Sequence, residues 1–496
     1  MYLSFGKAQI NLAFRSLNRT FAGMMMILTV LLYFLVLFAL SRWTSRKATN
    51  ETFFRAERKS PWYMVAFGMV GASISGVTFV SVPGMVMRMD MTYLQTCLGF
   101  ILGYFVVAFV LLPLYYRLNL TSIYTYLGQR LGPRAYLTGA WFFLISKMSG
   151  AAVAFYVVCM LLQRFVLDGV GVPFPLTVVV MVALIWLYTR RGGIKTLVWT
   201  DTLQTLCLLG ALLLIIYKVT AELDMTAAEA VQAVSDSPMS RVFVMDDWAS
   251  RQNFWKQFLS GIFIVIVMTG LDQDKMQKNL TCKTLREAQK DMTTYGFAFV
   301  PVNLLFMALG VLLTMLAGQR GVTLPAAGDE LLPMFAATGE LGSAVMVFFT
   351  LGVVAASFSS ADSAITSMTT SFCVDIRQCT DDERLRKRVH LGMSVVFAVF
   401  ILMFRLLNST SVIDAIYILV SYTYGPLLGL FAFGLLTKRM PRDRYVPYIA
   451  VASPLICLAI DKAAAAAGYT FGYELLMLNG LLTFCMLWLS SLKMDN

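Results

Sequence analysis

A serine-rich stretch with a bare carboxylate, Ala355-Ala356-Ser357-Phe358-Ser359-Ser360-Ala361-Asp362-Ser363, directly follows the apolar run 345–354. Polar groups in such a place cost roughly several kcal/mol each unless they face protein, water or an ion. Hydroxyl, carbonyl and carboxylate oxygens are the ligands that hard cations take. The pattern therefore points first to ion-coupled transport. At about 100° per residue, Ala356, Ser359, Ser360 and Ser363 make one stripe at i, i+3, i+4 and i+7. Asp362 lies beside that stripe, so the helix presents two neighbouring subsites.

Three other segments carry chemistry. The stretch 68–84 mixes glycines with serines and a threonine, including Gly71-Ala72-Ser73-Ile74-Ser75-Gly76, and is a poor continuous helix. Local unwinding there frees carbonyls that can bind a cation; small-residue helix packing is the competing explanation. In Gly192-Gly193-Ile-Lys-Thr-Leu-Val-Trp199-Thr200-Asp201, a tight turn is followed by an acid that enters an apolar run. An intramembrane carboxylate is a functional candidate, with Lys195 or Arg191 as the alternative structural partner. In Asp272-Gln273-Asp274-Lys275-Met-Gln277-Lys278, Asp272 borders an apolar run while the rest reads as a solvated helix end. Lys147 is the one lysine set well within an apolar span, so an intramembrane Asp or an anionic solute is its expected partner.

The elements that position these residues are membrane helices. Of the 496 residues 58% are hydrophobic and only 14% charged, against about 25% charged in soluble domains. Apolar windows fall near 22–41, 61–87, 94–116, 135–165, 173–189, 194–219, 254–271, 293–317, 341–371, 389–406, 412–436, 445–462 and 472–491. This is an all-α polytopic membrane protein with about thirteen spans. Basic clusters follow the first, third, fifth, seventh, ninth and eleventh windows, for example Arg55, Arg58 and Lys59, then Arg384, Arg386, Lys387 and Arg388. The alternate loops are acidic or neutral, which places the N-terminus outside and the C-terminus inside. The net charge of +12 thus belongs to cytoplasmic loops and not to nucleic-acid binding.

Residues 1–21 disagree, because Lys7, Arg15 and Arg19 fall on the expected outer side. Either the true start is at the run Met24-Met25-Met26 or the extension is a tail. The long outer loop 220–252 is expected to hold a short amphipathic helix, as a connector or a lid over an outer vestibule. Hydropathy suggests a weak repeat between 61–219 and 254–436, each half opening on an interrupted segment, with 22–41 before them and 445–491 after. Paired interrupted segments mark a transporter binding site at the bilayer midplane. None of the eight cysteines has CxxC spacing, so a disulfide framework is not expected. The single histidine, His390, falls in a charged loop, which argues against histidine-based catalysis or a His metal site. No catalytic set of residues is present, so an enzyme is not expected.

The run 75–83, the Gly192-Gly193…Trp199-Thr200-Asp201…Gln204 string, the Gln273-Asp274…Gln277-Lys278 string and the Ala356…Ser359-Ser360 stripe, in this order, resemble the sodium:solute symporter family. The resemblance covers about 22–440. It implies a LeuT-type 5+5 inverted repeat, with one extra span before the ten-span core and two after it. It also implies a main Na⁺ site made by the carbonyls of Gly71, Ile74 and Ala356 and the hydroxyls of Ser359 and Ser360. A possible second cation site is Asp201, Asp362 and Ser363. There Asp362 stands where the family has a hydroxyl, so the two acids are expected to hold a second Na⁺, to share a proton, or to pair with Lys147. Ser75, Thr78, Tyr93 and Cys97 match solute-contacting positions, and Lys147 and Asp272 join them as solute-binding candidates. Gly150 replaces an arginine that binds the carboxylate in the family's sialic acid symporters.

The expected function is Na⁺-coupled uptake of a small organic solute (a sugar, an amino acid or a carboxylate) by alternating access in a bacterial inner membrane. Its partners would be the solute, Na⁺ and the lipid bilayer, with no nucleic acid and no obligate protein. A proton-coupled symporter, motivated by Asp362, is the alternative. A transporter-like sensor would need an output domain, which the sequence through Asn496 does not contain.

Overall fold

The computed structural model describes Met25 and residues 28–46, 48–167, 171–407 and 419–492. The expected extension 1–21, the start of the first apolar window and 412–418 of the eleventh lie outside them.

The described residues form helices and turns with no strand. In chain order the helices are α1 (Leu28–Thr44), α2 (Asn50–Arg55), α3 (Trp62–Ser73), α4 (Gly76–Met89), α5 (Tyr93–Arg117), α6 (Thr125–Arg130), α7 (Pro133–Leu162), α8 (Phe174–Thr189), α9 (Ile194–Glu222) and α10 (Ala227–Asp236). They continue with α11 (Phe254–Gly270), α12 (Gln273–Asn279), α13 (Leu285–Gln319), α14 (Leu331–Ala336), α15 (Ser343–Ile376), α16 (Glu383–Leu407), α17 (Gly425–Leu436), α18 (Val446–Ala466) and α19 (Leu475–Ser491). By length and composition, seven are long and apolar enough to cross a membrane. Two bent pairs, α3 with α4 and α11 with α12, bring the number to nine. The remaining apolar windows hold the shorter helices α1, α8, α17 and α19.

Both bent pairs break at a short non-helical step. Between α3 and α4 the chain turns by 59° at Ile74, whose ψ of 81° leaves the helical region. Ser75 then caps α4, its Oγ accepting from the backbone N–H of Thr78. Between α11 and α12 the turn is 68°, and Asp272 plays the same capping part by accepting from the N–H of Asp274 at 2.8 Å. A side-chain acceptor restarts the helix in both places, so the interruption expected in each half is a cap-to-cap junction.

The scaffold holds these junctions tightly. α9 packs most extensively on α15, α5 packs on α11, and α3 lies along α9. The approach of α3 to α9 requires glycine at position 71. A Cβ there would sit 2.8 Å from Thr205 Cβ and 3.0 Å from its Cα. Glycine at 71 therefore serves close helix packing, whatever its carbonyl does.

The basic segments gather. Arg55 donates to the Asn119 carbonyl (3.0 Å), Lys195 pairs with Glu57 (3.3 Å), and the Ser60 N–H reaches the Thr281 carbonyl (3.2 Å). Asn50 donates to the Thr380 carbonyl (2.6 Å), Arg386 to the Arg190 carbonyl (3.1 Å), and the Arg134 N–H to Asp443 (3.0 Å). The loops that follow the first, third, fifth, seventh, ninth and eleventh windows therefore interlock with one another. The alternate loops interlock separately, through Arg320 with Glu222 (2.6 Å) and Arg88 with the Ala326 carbonyl (2.7 Å). Helix α10 lies in the 220–252 loop where a short helix is expected, opened by a capping box of Thr226 and Glu229.

His390 corrects its assignment to a loop. It lies in α16 fully buried, with Nε2 2.8 Å from Thr189 Oγ1 and Nδ1 3.0 Å from Thr369 Oγ1. The charges of 383–388 that suggested a loop form the first turns of α16, and the ring joins three helices.

Candidate functional site

A cavity of about 190 Å³ opens where the two helix breaks face each other. It is smaller than the roughly 300–1,000 Å³ usual for drug-sized ligands. Ser75 and Thr78 line it from the first break, Tyr93 from α5, Lys147 and Gly150 from α7, and Asp272 from the second break. Ser360 of α15, Tyr104, Tyr295 and Tyr424 complete much of its polar wall. Cys97 lies fully buried in α5 and is not in the wall. At Gly150 an added Cβ would meet nothing within 4 Å, so this wall is open toward the cavity.

Lys147 sits between two carboxylates. Its Nζ is 3.1 Å from Asp272 Oδ2 and 2.6 Å from Asp274 Oδ2. Asp272 also accepts from Tyr424 Oη at 2.8 Å. Lys147 thus has the acid partners expected of it, but of the three alternatives for Asp201 and Asp362 the pairing with Lys147 is not the one seen: its acids come from the second broken helix. The reading of 273–278 as a solvated helix end is overturned as well, for every residue of α12 is buried. Gln273 bonds the Thr121 carbonyl (2.8 Å) and the Ile123 N–H (3.0 Å), and Gln277 bonds the Phe54 carbonyl (2.8 Å) and Thr370 (2.9 Å). These amides consume backbone groups that water would otherwise satisfy.

The first cation set is brought together at a helix contact. Gly71 and Ile74 lie at the C-terminal end of α3, against α15 with Ala356, Ser359 and Ser360. Ser360 Oγ reaches the Ala72 carbonyl at 3.3 Å, so its hydroxyl faces the break. Ser359 turns the other way and donates to Asp201 Oδ1 at 2.6 Å. The last carbonyls of a helix lack intrahelical partners and carry the negative end of its dipole. Together with a serine hydroxyl they suit Na⁺ in ligand type and charge.

The second set is divided. Asp201 makes an ion pair with Lys278 of α12 at 2.7 Å, both side chains almost wholly buried. With its amide turned to suit its neighbours, Gln204 donates to Asp201 Oδ1 (3.1 Å) and accepts from Tyr33 Oη (3.0 Å). Asp362 accepts from Tyr188 Oη at 2.5 Å and from Ser363 Oγ at 3.2 Å. No ammonium or guanidinium lies within 4 Å of it among the described contacts. Sequence reasoning missed Asp274, Lys275 and Lys278. The signal was a charge balance: Lys147 and Asp201, each set well within an apolar span, needed opposite charges, and 272–278 supplies them.

Two broken helices around a polar cavity, with a hydroxyl-bearing helix against one break, define a secondary transporter. The chain belongs to the sodium:solute symporter family, whose profile matches residues 53–443. It is a multi-pass membrane transporter and not an enzyme, and sodium is its coupling ion. Among related proteins, the sodium/sialic acid symporter SiaT of Proteus mirabilis (strain HI4320) is 24% identical over 415 residues, 80% of this chain and 81% of the relative. The sodium/sialic acid symporter NanT of Aliivibrio fischeri (strain ATCC 700601 / ES114) is 25% identical over 408 residues, 79% of each chain. A solved outward-open, substrate-bound Na⁺-coupled sialic acid symporter superposes with a TM-score of 0.81 at 20% identity, over 94% of this chain and 97% of that one. Mhp1, a nucleobase-cation-symport-1 family transporter in a closed conformation, gives a TM-score of 0.59 at 16% identity, over 89% and 93%. The fold is the LeuT-like one these transporters share.

Proposed function

We propose that this chain takes up a small organic solute with Na⁺ by alternating access, binding the solute in the cavity between the two helix breaks. The observation that carries this reading is the meeting of Ser360 with the carbonyl end of α3 on the wall of that same cavity. Na⁺ at Gly71, Ile74, Ala356 and Ser360, joined by Ser359 once its hydroxyl turns from Asp201 toward α3, would fasten α3 to α15 and so shape the solute pocket. Its release into a low-Na⁺ cytoplasm would loosen that contact. Each positive charge entering down 100 mV is worth about 2.3 kcal/mol, and each tenfold Na⁺ gradient adds about 1.4 kcal/mol. The proposed arrangement is a 5+5 inverted repeat over 61–219 and 254–436, with thirteen spans in all and the basic loops in the cytoplasm of a bacterial cell. The interlocking of those loops supports a single inner face.

The solute is a sugar, an amino acid or a carboxylate. The relatives' sialic acid is one candidate, which the open wall at Gly150 disfavours. In proteoliposomes, an inward Na⁺ gradient is expected to stimulate uptake of at least one solute from a panel of these classes by about tenfold or more, with choline as the control. No Na⁺ stimulation for any of them would sink the reading.

A proton as a second coupling ion is favoured by one observation. In the cluster of Asp201, Lys278 and Asp362, one positive charge faces two acids, and Asp362 has only hydroxyl partners. Burying an unpaired carboxylate is costly, so that site calls for a proton or a second Na⁺ shared with Asp201 and Ser363. Asp362→Asn is expected either to remove the pH dependence of uptake or to lower the Na⁺ Hill coefficient from about two to about one. If both stay at their wild-type values, Asp362 has no part in coupling.

A further inference from the structure

Lys275 is the charge in the cavity that the symport cycle described above does not use. It is buried in α12 and borders the cavity, and its Nζ donates at 2.9 Å to the carbonyl of Ala72, which lies on the same cavity wall. This is the carbonyl that Ser360 Oγ also reaches, at the C-terminal end of α3. An ammonium therefore sits on the dipole end and beside the hydroxyl to which the Na⁺ reading assigns the ion. Among the described residues Lys275 forms no ion pair within 4 Å, whereas Lys147 holds Asp272 and Asp274 and Lys278 holds Asp201.

We infer that Lys275 is a tethered cation that competes with Na⁺ for the carbonyl end of α3, so that each excludes the other. This rests on the reading that Na⁺ binds at Gly71, Ile74, Ala356, Ser359 and Ser360. Two positive charges a few ångströms apart repel strongly where water is scarce. Both also seek the same partial negative charge, because the last turn of a helix has only a few free carbonyls to give. When Na⁺ arrives, the flexible lysine stem lets the ammonium leave the Ala72 carbonyl and shift toward Asp274 and Asp272, which lie within its electrostatic reach together with the like charges of Lys278 and Lys147. Na⁺ entry then moves a positive charge along the cavity wall toward the solute-binding acids, and Na⁺ departure moves it back. Ion and solute sites are thereby linked through one side chain, and the linkage is reciprocal. In the ion-free protein the ammonium keeps the gap between α12 and α3 bridged through the Ala72 carbonyl.

The test is Na⁺ binding alone, without solute, by the purified full-length protein in detergent. Thermal stabilisation is titrated with NaCl against choline chloride at constant ionic strength. For Lys275→Met the half-saturating Na⁺ concentration is expected to fall at least tenfold below wild type, with Lys275→Arg remaining near wild type. A residue that merely supported the site would, when removed, weaken Na⁺ binding. If Lys275→Met binds Na⁺ equally or less tightly while wild type responds normally, the competition is wrong and the Na⁺ site stands. If wild type and all variants ignore Na⁺, the site assignment fails and the competition with it. Should the methionine variant not fold, Lys275→Gln makes the same measurement with a neutral hydrogen-bonding side chain.

Discussion

Lys278→Met is expected to abolish uptake and to cost about 3–5 kcal/mol of stability, the usual penalty for stranding one partner of a buried ion pair. The stranded partner is Asp201, whose side chain is 1% exposed. Ser359 and, with its amide suitably turned, Gln204 still donate to it, but neither supplies charge. The double variant Asp201→Asn with Lys278→Met removes both charges and is expected to recover most of the stability. It should not recover transport, because α9 and α12 then have no electrostatic tie across the half-helix that must move. Thermal melts of the four proteins of this cycle, with uptake measured in parallel, check both halves. Equal melting of wild type and Lys278→Met would show that the pair contributes nothing to the fold.

Lys147→Met has a comparable effect through the solute chamber. It leaves Asp272 and Asp274, each 3% exposed at the side chain, without their ion-pair partner. Losing charge-assisted hydrogen bonds worth about 1.5–3 kcal/mol corresponds to a drop of about ten- to a hundredfold in apparent solute affinity. Like-charge repulsion adds to that and favours proton uptake by one of the acids. The residual activity of Lys147→Met should therefore improve as the pH is lowered. Combining it with Asp274→Asn removes the surplus charge, and this double variant should lose the acid preference while still transporting poorly. Uptake against pH for the three proteins decides the matter, and a flat profile for Lys147→Met would remove Lys147 from the chamber's charge balance.

The sequence made the helices and both breaks legible because these follow from local rules. Apolar windows fix the helices, and runs such as 71–76 cannot continue one. The stripe of Ser359 and Ser360 was readable as a stripe, but its division was not. Whether neighbouring serines face α3 or α9 depends on how three helices pack, and here the two hydroxyls point to different partners. The charged run 272–278 misled for a physical reason. Charge density normally reports solvent, yet this run lies inside because its ion-pair partners come from positions 147 and 201, far away in sequence. His390 misled in the same way, since its charged neighbours occupy one end of a helix whose opposite face is buried.

Asp272 does two jobs with two oxygens. Oδ1 caps α12 and lies 3.4 Å from Lys147 Nζ, and Oδ2 receives Tyr424 and, at 3.1 Å, Lys147 from across the chamber. A seven-residue helix has little stability of its own, and a side-chain cap is worth about 1 kcal/mol to it. Any molecule in the chamber that borrows the tyrosine or the lysine changes how firmly Asp272 holds that first turn. The walls of the chamber and the stiffness of the half-helix beneath it are therefore one mechanical quantity, read out at a single carboxylate.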